Sequence, residues 1–361
     1  DSVPPNVKFK HKIVYTQKQK QLYVWFNAAI NASGQYKLVS AANLNIKLKA
    51  APEKNAQKKY NRRFANNSVL KDGKWRKIKL KKNGIYKITY NQLINWGFEN
   101  PAQIRIYGFG GKQLSFRVSS DDPYNLPEVP LKMNKGNDGI FNSGDYVLFY
   151  GQGIENRHTN INSEKITCIE HDYTRYGHYF ITTKSGNGAR IPTTDLNSEN
   201  HNSSKNTFTD VAHINFRKNN LNHTGRIFFS DILQPGETKS FNFSFPDIVA
   251  SEPVRIDTRA GAICSGVTSY IDVKYNGQTI TQISIPKSSD YHPGRTNTQN
   301  TYADINEDQF SLSMKYRSNN VSAQGYIGHI TLTALREIIY KGNQLLMHDL
   351  QNAGSGNIIK Y

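Results

Sequence analysis

Residues 134–145 carry the clearest metal-binding spacing in the chain. A twelve-residue calcium loop places oxygen ligands at positions 1, 3, 5, 7, 9 and 12, with glycine at 6. Here Asn134, Asp138, Asn142 and Asp145 fall at 1, 5, 9 and 12, Gly139 falls at 6, and Ile140 would offer its backbone carbonyl at 7. The third position is Gly136, which has no side chain, and the last ligand is an aspartate rather than a bidentate glutamate. Both departures weaken a calcium site. A Gly/Asn-rich strand connection accounts for the same residues, so calcium is an expectation set against a plain turn.

Signals for covalent chemistry are thinner. A cysteine nucleophile needs a thiolate beside an oriented imidazole. Cys168 lies three residues before His171, an offset that sends the two side chains to opposite faces of a strand. Cys264 reads as a small buried residue. The two cysteines could pair once or stay as thiols. His329 sits at a strand position in GYIGHITL, and no cysteine follows it. Gly108-Phe109-Gly110-Gly111 follows a strand but lacks the Lys-Ser/Thr of a phosphate loop, which makes it a tight turn or bulge. Asp121 and Asp122 flank Pro123 as turn residues. The spacings HExxH and CxxC and a nucleophile elbow are absent. No catalytic or cofactor-binding residue is assigned to this chain.

The elements that would hold these residues are strands. Tyrosines number 21 and phenylalanines 17, against 3 methionines, a composition that favours half-buried sheet surfaces. Val14-Tyr15, residues 22–26, 36–49, 75–80, 85–90, 104–107, 145–150 and 179–182 read as strands. One short helix is expected over 91–96, stopped by Gly97. Later, 241–245, 310–316 and 326–335 alternate, and Asn276-Gly277 between 271–275 and 279–285 marks a hairpin turn. The expectation is an all-β chain of two or three β-sandwich or jelly-roll-like domains. Their boundaries are read as 1–65 (a basic β segment), 66–200 (β-rich with the helix), 201–350 (a β-sandwich) and 351–361 (a linker to a further domain). No run of 18 apolar residues exists to cross a bilayer as a helix.

Net charge is +18, and residues 1–100 hold 21 Lys/Arg against 4 Asp/Glu. Such a field attracts anions or simply solvates a surface. No nucleic-acid motif accompanies it, so no nucleic-acid partner is expected. Tyr270, Tyr275, Tyr291 and Tyr302 could stack on sugars, as in a carbohydrate-binding module, or pack within a sandwich.

Several stretches carry a family resemblance. They are 68–90 (SVLKDGKWRKIKLKKNGIYKITY), 97–111 (GFENPAQIRIYGFGG) with 125–130 (NLPEVP), 141–153 (FNSGDYVLFYGQG) with 173–183, and more weakly 325–347. In this order they resemble the region before the peptidase domain in PorU-like sortases of the type IX secretion system, members of the gingipain-like cysteine peptidase family. Residues 1–67 carry no matching motif. The resemblance implies a protein exported to the outer-membrane surface of Bacteroidota. There a following peptidase domain would remove sorting signals from cargo and join the cargo to anionic lipopolysaccharide. It also implies the outer-membrane barrel PorV as a partner, and a non-catalytic placing role for this part. A pro-domain that regulates the peptidase is the other reading.

Overall fold

The described residues of the first of the chain's two units, Asp1–Arg62, include two strand pairs. The computed structural model describes residues 3–16, 19–46, 66–114, 125–160, 165–193, 201, 203–223, 225, 227–342, 344–350 and 358–361. Strands β1 (Phe9–Thr16) and β2 (Gln19–Phe26) pair antiparallel, with Phe9 opposite Phe26 and their rings 5.2 Å apart. β3 (Ala29–Ala32) and β4 (Gln35–Leu38) form the second hairpin. The strand expected through Leu44 and Ile46 does not form. Val39 N still donates to the Ala28 carbonyl at 2.8 Å, but among the described residues no strand pairs with 40–46, and both side chains are exposed. Leu48, Asp121 and Asp122 lie outside the described residues.

The second unit, Arg63–Tyr361, holds two β lobes. In the first, β5 (Arg76–Leu80), β6 (Gly84–Thr89), β7 (Ile104–Gly110), β8 (Glu128–Val129), β9 (Leu131–Asn134), β10 (Tyr146–Gly151) and β13 (Gly177–Thr183) form two sheets. Their orders are β6-β10-β9 and β5-β13-β7-β8. Alternation sends Leu80, Ile88, Ile104, Ile106, Leu131, Val147, Phe149, Tyr179 and Ile181 into a shared core. Helix α1 (Tyr90–Asn95) starts one residue earlier than expected, because Thr89 and Gln92 form a capping box. The helix drops Leu93 into the same core. The Gly108 segment is a bulge, as expected: the β7–β13 register shifts beside it, and a Cβ on Gly108 would sit 2.7 Å from the His178 carbonyl oxygen.

The second lobe is a four-on-four sandwich. It uses β15 (Thr207–Asn215), β16 (Thr238–Ser244), β17 (Val254–Ile263), β18 (Ser269–Tyr275), β19 (Gln278–Ile285), β20 (Arg295–Ala303), β21 (Gln309–Arg317) and β22 (Gln324–Glu337). The sheets run β15-β22-β17-β20 and β16-β21-β18-β19. Strand β21 shows the rule: Phe310, Leu312, Met314 and Tyr316 point inward while the residues between them are more exposed. Burying each such side chain stabilises the fold by roughly 1.5–3 kcal/mol. Asn276 and Gly277 both have positive φ, at 48° and 80°, so the expected hairpin turn forms between β18 and β19.

A polar hairpin is inserted in the first lobe's sequence between β10 and β13: β11 (Glu155–Asn160) and β12 (Lys165–Glu170). Its buried Ile166 packs with Val211 and Leu350. The short strands β14 (Ser203–Ser204) and β23 (Ile359–Lys360) pair in parallel. The Gln344 side chain binds both backbone groups of Ile85: Ile85 N donates to Oε1 at 2.6 Å, and Nε2 donates to the Ile85 carbonyl at 2.8 Å. The described residues are nearly all strand, loop and turn, and the chain is an all-β protein.

Candidate functional site

The outer face of the sheet β15-β22-β17-β20 is polar where an ordinary sandwich would meet water. Register sets Asn215, His329 and Arg259 opposite one another across three strands, with His213, Thr331 and Asp257 on the next rung of the same face. Strand β12 lies over this face. Its Lys165 Nζ stands 3.4 Å from Asp257 Oδ1. The resulting cleft, about 280 Å³, is lined by Cys168, Glu170, His213, Phe216, Arg259 and His329 among others.

Its charges are arranged unevenly. His213 Nδ1 and Thr331 Oγ1 are 2.7 Å apart, and the two histidine rings lie 5.8 Å from each other. Burial first, then the Arg259 charge, pushes the His329 imidazole down to about 3, so it is neutral at physiological pH. Burial also lowers His213. Glu170 accepts from Asn215 Nδ2 at 3.2 Å and pairs with Arg217 at 3.1 Å. A neighbouring cleft of about 540 Å³, at Arg157 and Arg336, holds arginines that are paired with Glu155 and Asp210, both at 2.6 Å.

Cys168 faces the first cleft as a protonated thiol. Burial, then the Glu155 carboxylate, pushes it up to about 12, far from the thiolate that nucleophilic attack requires. His171 is turned elsewhere: its Nδ1 accepts from Tyr173 N at 3.0 Å. Cys168 and Cys264 are both free, and Cys264 is buried with Sγ 3.2 Å from the Val267 carbonyl.

The calcium-spaced loop is drawn together by its own hydrogen bonds. Asp138 Oδ1 accepts from Ile140 N at 2.9 Å, and Asp138 Oδ2 accepts from Asn142 Nδ2 at 2.8 Å. Asn142 N donates to Asp145 Oδ2 at 2.8 Å, and Gly136 N donates to Asn134 Oδ1 at 3.1 Å. The Ile140 and Asn142 donors hold the Asp138 carboxyl below the usual carboxylate range. Four of the oxygens that a cation would use are thus engaged by N–H groups of the loop itself. Among the described residues no cluster of three or more His, Cys, Asp or Glu side chains is placed to hold a metal.

Of the four tyrosines singled out for sugar stacking, Tyr275 packs edge-on against Phe310 and Tyr270 lies under the Arg317 guanidinium. Tyr302 is half exposed and accepts from Arg255 at 3.2 Å, while Tyr291 is fully open to solvent. Sequence reasoning missed His213 and Arg259 altogether and saw His329 only as a strand residue. The signal was there in polar residues alternating with apolar ones in HIN and GHITL, on strands whose other face is core.

No known family profile matches the sequence, and no curated protein matches it. Among solved structures, the chain is similar to dimeric latent PorU from Porphyromonas gingivalis, with a TM-score of 0.69 and 18% identity. That likeness covers 80% of this chain and 27% of the other, so this chain spans about a quarter of its neighbour's length. A carbohydrate-binding module in complex with calcium and xylotriose overlaps far less, with a TM-score of 0.23 over 29% of this chain, and a xylanase module from the hindgut metagenome of Trinervitermes trinervoides reaches 0.25. Over most of its length, then, this chain has the fold of a segment of PorU.

Proposed function

We propose that this chain is the non-catalytic region preceding the peptidase of a cell-surface type IX sortase, and that it places the peptidase against its partners. The fold likeness to PorU carries the reading, because it extends over 80% of the chain at a TM-score of 0.69. The protonated Cys168 thiol, and a His171 Nδ1 already accepting from Tyr173 N, support a placing rather than a nucleophilic role. The finer proposal is that the protein is exported to the outer-membrane surface and works beside the barrel PorV. The net charge of +17 over residues 1–100 would serve an anionic partner such as lipopolysaccharide.

The test is deletion of residues 66–361 from the full-length protein, with two readouts. Cleavage of a soluble peptide by the shortened enzyme is expected to persist, while cargo attachment at the cell surface is lost. Wild-type attachment by the deleted protein would defeat the placing role. Inhibition of the isolated peptidase by this chain added in trans would favour a regulating pro-domain instead.

A second reading has one observation behind it. Tyr275 and Tyr302 line a depression of about 530 Å³ with Asn276, Gln278 and Asp304, a mixture of rings and polar groups suited to a sugar. A glycan array with the wild-type chain and Tyr302→Ala decides it: binding that the variant loses would support a carbohydrate module, and no binding would end that reading.

A further inference from the structure

Arg259 stands apart from the other arginines of the sandwich's outer face. Arg255 is bound to Asp257 at 2.9 Å and Arg217 to Glu170 at 3.1 Å. Arg259 Nε is buried without a hydrogen-bond partner, and among the described residues no carboxylate lies within ion-pairing distance of this guanidinium. Burial lowers its proton affinity with no acid opposing the effect. A partly desolvated cation without a counter-charge carries a cost, and an anion from outside would reduce it.

The surroundings hold the guanidinium in place. A Cβ at Gly328 would stand 3.0 Å from Arg259 Nε and 3.2 Å from its Cγ, so the bare glycine leaves room for the arginine stem. His329 shares its rung, His213 the next one, and all three side chains line the cleft of about 280 Å³. The acidic side chains in the lining are engaged: Glu170 with Arg217 and Asn215, and the exposed Asp172 as acceptor from Gln113 Nε2 at 2.9 Å.

We propose that the cleft between β12 and the sandwich is a binding site for a small oxyanion, a phosphate or a carboxylate. The Arg259 guanidinium would be its main donor, and the His213 and His329 rings would complete the donor set. Charge-assisted, forked hydrogen bonding is what a guanidinium offers either group. The site does not depend on the placing role proposed above.

The experiment uses the whole chain with isotope-labelled histidine. Inorganic phosphate, acetate and, at equal ionic strength, chloride are titrated while the imidazole resonances are followed. Saturable shifts of the His213 and His329 signals with phosphate, acetate or both, but not with chloride, are expected. Saturation by phosphate alone identifies a phosphate group, and by acetate alone a carboxylate. Arg259→Gln is expected to weaken binding by about tenfold or more, and Gly328→Ala, which displaces the arginine instead of removing it, to weaken it too. A rise in the wild-type thermal midpoint with the bound anion is the readout should either variant fold poorly. Unmoved histidine signals and midpoint, equal effects of chloride, or undiminished binding by a folded Arg259→Gln protein would overturn the site.

Discussion

His329 makes the sandwich sensitive to acid. Its imidazole is held at about 3 by burial and by Arg259, with His213 and Lys165 adding to the effect and Asp257 opposing it. The unfolded chain takes up a proton near pH 6.5 while the folded chain does not. This contribution to stability is therefore complete above about pH 6.5 and is lost progressively as pH falls toward 3. Between pH 6.5 and 5 the loss from this residue is roughly 2 kcal/mol at most. Urea denaturation at several pH values should show that slope, and His329→Gln should flatten it. The calcium-spaced loop gives the opposite kind of expectation. Its oxygens already accept from Gly136, Ile140 and Asn142, so millimolar calcium is expected to leave the thermal midpoint unchanged. A midpoint raised by calcium in wild type but not in Asp138→Asn would show that the loop exchanges those donors for a cation. The loop was legible because its residues are contiguous. The cleft was not: Arg259 and His329 meet only through strand register, and a missing counter-charge leaves no local trace in sequence.

Elements with a clean period or a strong turn could be read directly. The alternation of β21 and the Asn276-Gly277 turn are local properties, as is the short helix, whose true start is fixed by the Thr89 cap. Thr89→Ala should therefore cost about 1 kcal/mol, measured by chemical denaturation. Hairpin β11–β12 escaped notice because ENRHTN has no apolar face, and KITCIE buries just Ile166 of its residues fully against the sandwich. That one side chain anchors the roof of the cleft. Ile166→Ala should destabilise the protein by about 2–5 kcal/mol. It should also speed alkylation of Cys168, whose thiol is otherwise half-buried and protonated; an unchanged rate would mean that Ile166 does not secure the hairpin.

At the scale of the whole molecule, the all-β architecture followed from composition and period, and the PorU-like fold from several separated stretches. The Leu44 and Ile46 pattern misled because pairing is settled by a partner strand. Charge is the remaining global property. Residues 1–65 carry a net +11, so their removal should weaken retention on an anionic surface and flatten its salt dependence, most of which is screened beyond about 8 Å at physiological ionic strength. Equal retention with and without them would place the anionic contact elsewhere. The two hydrogen bonds from Gln344 to Ile85 have a practical consequence. Ile85 belongs to the first lobe and Gln344 to the segment after β22, so the Ile85 amide proton is shielded only while the two stay together. Its exchange with deuterium is a built-in clock for their parting, readable without any label, and Gln344→Ala would set that clock running fast.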